Sequence, residues 1–137
     1  MANYISFLRT NYFHTKDQKE TMEILNRIVM EDDDIEIWHR PDGTVAFGGS
    51  EIEGLRPTDD TDENLNPDDV YAALQSVVAP DDAIIIHEIG YENLRYLVGA
   101  VVVITEKLVD FDNIADRGQE MAREALGNDS YFSPAEY

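Results

Sequence analysis

The stretch AIIIHEIGYENLRYLVGAVVVIT, residues 83–105, is the most apolar part of the sequence. It contains two runs rich in isoleucine and valine, 83–89 and 94–105, with a short polar segment between them. β-Branched side chains favour strands, and such nearly continuous apolar runs are typical of central strands. The stretch therefore predicts two adjacent central strands, and His87 and Glu88 of the first should point to opposite faces.

The segments before this stretch predict further strands. Apolar residues around Ile5 and Phe7 indicate a first strand near the N-terminus. Apolar residues alternate with polar ones on both sides of Pro41-Asp42-Gly43, and this pattern around turn residues predicts a β-hairpin.

Three helices are predicted between and after these strands. The first starts at residue 15 or 17 and runs to about 30, because apolar residues recur there at three- and four-residue spacing. The second starts at Asn66-Pro67-Asp68-Asp69, where Asn caps, Pro takes the first position and two carboxylates face the positive helix end. The third runs from about 112 to 126 and ends at Gly127.

The predicted order is strand, helix, two strands, helix, two strands and helix. This order indicates one acidic α+β domain over residues 1–137. We expect a mixed or antiparallel sheet of four to five strands covered by two to three helices, arranged as a ferredoxin-like core with additions.

The composition excludes several classes of protein. The 137 residues include 29 Asp and Glu but 10 Lys and Arg, so the formal charge is −19. Direct binding to nucleic acid or to an anionic membrane is disfavoured, because both need clustered basic side chains. No apolar run reaches the ~18 residues of a membrane span. The absence of cysteine excludes disulfides and thiolate sites, and a cytoplasmic location is expected.

The negative charge is concentrated in runs. Between Arg56 and Arg95 the sequence has ten carboxylates and no basic residue, so this part cannot be neutralised by ion pairs within it. The carboxylates most suited to contact a partner lie in two runs and at the start of the second helix: Asp32, Asp33, Asp34, Asp59, Asp60, Asp62, Glu63, Asp68 and Asp69.

One interpretation of this charge is imitation of nucleic acid. Nineteen charges correspond to about 32 Å of DNA duplex, and a domain of this length has a radius of gyration of about 14 Å, so its span is similar. Solubility or adaptation to high salt is the other interpretation, and the sequence leaves both open.

No motif in the sequence predicts catalysis. The segment from Asp59 to Asn64 is similar to a calcium loop, but Leu65 and Tyr71 stand where an EF-hand needs Gly and Glu. We therefore expect no catalytic residue, metal site or cofactor. The alternative is a small-ligand-binding domain or enzyme with a cleft near His87, Glu88 and Arg95. An accessory oligomeric scaffold is a further possibility.

Three short stretches resemble a known group of proteins. RTNYF at 9–13, GYENLRYLVG at 90–99 and AEY at 135–137 together resemble small, mostly uncharacterised acidic proteins carried by phages, plasmids and integrative elements of bacteria. This resemblance implies an anti-restriction or anti-CRISPR inhibitor, some of which imitate DNA. It carries over no catalytic residue.

The expected function is therefore a non-enzymatic inhibitor of a bacterial defence nuclease or CRISPR effector. As an acidic nucleic-acid mimic it would block the DNA- or RNA-binding groove of a basic host protein. The partner is a protein rather than nucleic acid or a membrane, and a homodimer is left open.

Overall fold

The structure is a computed structural model that describes residues 5–32, 34–57, 65–92, 96–127 and 132–133. The helices in this part are α1 (Gln18–Leu25), α2 (Pro67–Val77) and α3 (Ile114–Leu126). The strands are β1 (Ile5–Thr10), β2 (Ile28–Met30), β3 (Glu36–His39), β4 (Val45–Gly49), β5 (Ile52–Leu55), β6 (Ile84–Glu92), β7 (Tyr96–Ile104) and β8 (Val109–Asn113).

Six of these strands form one antiparallel sheet in the order β3-β4-β1-β6-β7-β8, and β2 pairs with β5 in a separate two-stranded sheet. The hairpin predicted over residues 83–105 is confirmed, because β6 and β7 pair from Ile84↔Ile104 to Glu92↔Tyr96. The hairpin around Pro41 is also confirmed by the pairing of β3 with β4. The α+β class is thus confirmed, with an antiparallel sheet.

The structure differs from the prediction in its short strands. The large sheet has six strands instead of four to five, and β8, which was not predicted, pairs along the outer edge of β7. α3 consequently starts at Ile114, with Asn113 as its N-cap, rather than at 112. α1 ends at Leu25 rather than near 30, because Ile28–Met30 pair with β5; β-branched residues favour that extended conformation.

One face of the large sheet, here called the covered face, packs against α1 and α2. The side chain of Asp17 caps α1 by accepting a hydrogen bond from the Glu20 N–H at 3.1 Å. Val70, Leu74 and Val77 form the fully buried side of α2. α1, the large sheet, the loops and the two short strands contribute the rest of this core: Leu8, Phe13, Ile24, Leu25, Ile28, Met30, Val45, Phe47, Ile52, Val78, Ile84, Ile86, Val102 and Ile104.

The opposite face of the large sheet, here called the open face, carries the side chains that alternate with the buried ones. Along β1 these are Ile5, Phe7 and Arg9, all exposed. Phe7 is in register with Ile89 of β6, and Arg9 is in register with His87. Phe7 and Ile89 are each 58% exposed, so the middle of the sheet presents an apolar surface to solvent.

Candidate functional site

Carboxylates gather where β2 ends and β5 begins. The Glu31 N–H donates to the carbonyl of Glu51 at 2.9 Å, and the Asp32 N–H donates to Ser50 Oγ at 3.0 Å. These bonds hold the first acidic run of the sequence against Glu51, which directly precedes β5, and against β5 itself, which carries Glu53. Short-strand pairing therefore brings together carboxylates that are about 20 positions apart in the sequence.

The start of α2 adds a further carboxylate to this region. Asn66 caps the helix by accepting from the Asp68 N–H at 2.9 Å, and Asp68 and Asp69 occupy the exposed first turn, where the helix dipole favours negative charge. The pKa of Tyr71 is raised by burial and then by Glu88, Asp68 and Glu51. Tyr71 thus lies among these carboxylates and links the helix start to β5 and β6.

We call Glu31, Asp32, Glu51, Glu53, Asp68 and Glu88 the acidic cluster. Burial is the largest cause that raises the pKa of Glu51, followed by a hydrogen bond with Glu31 and repulsion from Glu88, Glu31 and Glu53. Burial also raises the pKa of Glu88. The ion pairs among the described residues, His14–Asp82, Lys16–Glu106 and Arg117–Glu120, include no member of this cluster. Its negative charge is therefore not neutralised by the described basic side chains.

The structure places the predicted contact residues in different surroundings. Asp32 and Asp68 belong to the acidic cluster, and Asp69 is exposed beside it on α2. Asp34 lies instead at the open face, as part of the groove described below. Five predicted residues lie outside the described part of the chain: Asp33, Asp59, Asp60, Asp62 and Glu63.

Not all of the negative charge belongs to this one surface. Asp82, Glu106 and Glu120 are paired with basic side chains elsewhere.

The sequence analysis missed Glu51 and Glu53, which enter the cluster through β5. Their alternation with apolar residues in 51–55 was the available signal, but the strand is too short to be recognised by its pattern alone.

A groove crosses the open face of the sheet. One half, of about 740 Å³, is lined mainly by Phe7, Arg9, Trp38, His87 and Ile89. The other half, of about 440 Å³, shares His87 and Ile89 and extends to Gly99, Ile114 and Arg117. The Arg9 guanidinium carbon lies 4.9 Å from the centre of the Trp38 ring, a distance typical of a cation–π contact.

The alternative cleft of the sequence analysis coincides with this groove in part. His87 is exposed on the open face, whereas half-buried Glu88 pairs with buried Leu8 and faces the acidic cluster. The prediction that these two side chains point to opposite faces is therefore confirmed. Arg95 lies outside the described residues. The sequence analysis missed Arg9 and Trp38, which meet across three strands and have no pattern in the sequence.

The described part of the chain lacks two kinds of feature. It contains no group of three or more His, Asp or Glu side chains placed to hold a metal ion. Its longest helix has 13 residues, and none of the described helices qualifies as a candidate membrane span.

Replacing Glu88 by glutamine is expected to remove a pH dependence of stability. Because burial raises the pKa of Glu88 in the folded state, the wild-type protein loses stability as the pH rises through that raised pKa. Glu88→Gln should therefore be more stable than wild type at pH 7, with no difference below about pH 4, where both states are largely protonated. Urea unfolding at the two pH values measures this. Glu53→Gln, at an exposed position of the same cluster, should show a smaller gain, and equal gains for both variants would contradict the assignment to burial.

Comparison of the chain with protein-family models, with curated proteins and with solved structures found no match.

Proposed function

We propose that the protein is a non-enzymatic inhibitor of a bacterial defence nuclease or CRISPR effector and acts in the bacterial cytoplasm as an acidic mimic of nucleic acid. Its partner is a basic nucleic-acid-binding protein, whose groove it occupies in place of DNA or RNA. The observation that supports this proposal most directly is the acidic cluster, in which six carboxylates come together without an ion pair to a described basic side chain.

An unpaired carboxylate cluster is suited to bind a basic groove. Repulsion within the cluster raises the free energy of the isolated protein, and this repulsion is relieved when basic side chains of a partner approach. Complementary charge also accelerates the encounter and makes it depend on salt. After burial and a hydrogen bond with Glu31, repulsion from Glu88, Glu31 and Glu53 also contributes to the raised pKa of Glu51.

Neutralising the cluster is expected to abolish capture of the partner. The test compares Asp32→Asn/Glu53→Gln/Asp68→Asn with the control Glu23→Gln/Glu36→Gln/Asp81→Asn, in which three carboxylates exposed elsewhere are removed. Each immobilised variant is incubated with nuclease-treated bacterial lysate, and retained proteins are eluted by salt and identified by mass spectrometry. A nucleic-acid-binding protein should be retained by wild type and by the control, and at least tenfold less by the cluster variant.

The proposal also requires inhibition by competition. The captured protein should no longer bind DNA or RNA when the wild-type acidic protein is added. An excess of nucleic acid should restore the binding of nucleic acid. Asn and Gln replacements of the four carboxylates in 59–63 should weaken inhibition and flatten its salt dependence. Equal losses for the cluster and control variants would assign binding to net charge alone. Retention unaffected by any of these changes would refute the electrostatic mechanism.

We further propose that β6-β1-β4-β3 together with α1 and α2 is a ferredoxin-like core, to which β7, β8 and α3 are added. β1 lies between β4 and β6, so the connection from β4 through α2 to β6 passes over one strand, as in a split βαβ unit. β3 and β4 supply the hairpin at one edge of this core.

A further inference from the structure

We propose that the outer edge of β3 binds an extended basic segment of a partner protein by strand addition. The segment pairs with the free backbone groups of β3 and places basic side chains beside Asp34 and Glu36. The proposal is independent of the inhibitor function. It concerns an outer strand of the large sheet, whereas the acidic cluster lies around Glu51, Tyr71 and Glu88.

The backbone of His39 points away from the sheet. β3 is the outer strand next to β4, and His39 is in register with Val45. The N–H of Val45 donates to the carbonyl of Phe13 at 3.1 Å, and the Phe13 N–H donates to the Val45 carbonyl at 2.9 Å. Residues paired in an antiparallel ladder either bond to each other or both point away from each other. The N–H and carbonyl of His39 therefore point to the free edge.

The backbone of Ile37 has the same orientation. Ile37 is in register with Phe47, whose N–H donates to Thr10 Oγ1 at 3.0 Å and so points toward β1. In the described part of the chain, the backbone groups of Ile37 and His39 have no hydrogen-bond partner. The strand also contains no proline, lysine or bulge, which are features that block strand addition at an edge.

The side chains along this edge favour a basic segment. Asp34, Glu36 and Trp38 line the groove on the open face, and their spacing of two residues places them on one side of the strand. Asp34 and Glu36 are exposed and form no ion pair with a described basic residue. The guanidinium of Arg9 lies over the Trp38 ring instead. Side chains on neighbouring strands face each other at about 5 Å, so basic residues of an added strand reach both carboxylates.

The other residues of the edge define the sequence pattern of the segment. Ile35 and Ile37 alternate with the two carboxylates and pack against the core on the covered side. Apolar residues of the segment therefore belong opposite these isoleucines. Arg40 directly follows β3, with its guanidinium carbon 3.7 Å from the centre of the Tyr12 ring, so this end of the edge is positive. The segment thus alternates basic and apolar residues, with its basic residues beside the start of β3.

Binding of a synthetic peptide tests the proposal. The probe is a short blocked peptide in which lysine alternates with valine, and the fluorescence of Trp38, the single tryptophan of the chain, follows its binding. Valines opposite Ile37 and His39 direct their N–H groups to the carbonyls of β3. N-Methylation of the valines keeps the charge of the peptide and should weaken binding at least tenfold. Absence of binding by the first peptide, or equal binding of both peptides, overturns the proposal.

Paired charge variants test the role of the two carboxylates. Asp34→Asn/Glu36→Gln should weaken binding of the lysine–valine peptide at least tenfold at low salt, because the carboxylates beside the lysines are removed. Glu53→Gln/Asp68→Asn removes the same amount of charge from the acidic cluster and should weaken binding much less. Equal losses for the two variants would assign binding to net charge and overturn the proposal.

A proline variant tests the strand addition itself. His39→Pro removes the N–H that points to the free edge, a position at which an outer strand tolerates proline, and should weaken binding of the peptide at least tenfold. His39→Ala keeps this N–H and should bind like wild type. In the wild-type complex, hydrogen exchange measured by NMR should slow at the amides of Ile37 and His39. Unchanged exchange at both amides would show that the peptide does not join the sheet, which overturns the proposal even if His39→Pro fails to fold.

Discussion

Replacing Phe47 by alanine is expected to lower the free energy of unfolding by about 3–5 kcal/mol. Phe47 is fully buried on β4, and its ring meets the ring of Phe13 edge-on at a centroid distance of 6.4 Å. The substitution leaves a cavity at this contact and removes apolar surface that folding takes out of water. Small domains have a total stability of about 5–15 kcal/mol, so a large fraction of the stability would be lost.

Urea unfolding followed by circular dichroism measures this loss. Phe111→Ala supplies the comparison, because the same atoms are removed from a side chain that is 61% exposed. Its stability should stay within about 0.5 kcal/mol of wild type in the monomer. A loss below about 1 kcal/mol for Phe47→Ala would mean that this part of the core rearranges to fill the cavity.

Replacing Gly48 by alanine is expected to destabilise the protein by about 1–3 kcal/mol. The added Cβ would lie 2.7 Å from the backbone carbonyl oxygen of Leu8 and 2.9 Å from the Trp38 ring. A backbone oxygen cannot move away without disturbing the pairing of β1 with β4. The strands must therefore separate slightly, and Trp38 must leave its place over Gly48.

Two measurements separate these effects. Trp38 is the single tryptophan of the chain, so a change in its fluorescence reports its displacement from Arg9 and Gly48. Gly118→Ala is the control for the substitution itself, because its Cβ meets open space within an exposed helix. It should stabilise the monomer by about 0.5–1 kcal/mol, since alanine favours the helix. Similar changes in both variants would show that the close approach at Gly48 has no energetic consequence.

The longer elements of the fold could be predicted from local sequence. The strands within 83–105 were predicted by their apolar runs, and the start of α2 by Asn66 and Pro67. The short strands β2, β5 and β8 could not, because three to five residues give too little pattern and their pairing is decided by distant partners. The predicted third helix started at about Asp112, so it took in the last two residues of β8.

The candidate site could be predicted in part. Asp32 and Asp68 were found because they belong to acidic runs. Glu51 and Glu88 join them through strand pairing and through the packing of Tyr71. These contacts form only in the folded chain, so the order of charged residues along the sequence does not reveal them. The groove was predicted only in part, as a cleft near His87, for a related reason. A nearly continuous apolar run indicates burial on both faces of a strand, whereas here one face of β6 is covered by helices and the other remains open.

The two aspartates of β8 have a consequence for growth of the sheet. β8 is an outer strand, and it carries Asp110 and Asp112. The unpaired backbone groups of an outer strand invite another chain to add to the ladder and so begin aggregation. Two β8 strands that approach each other would bring four carboxylates together, and their repulsion opposes that addition. The sheet thus resists edge-to-edge polymerisation while its broad apolar surface stays available for a specific contact.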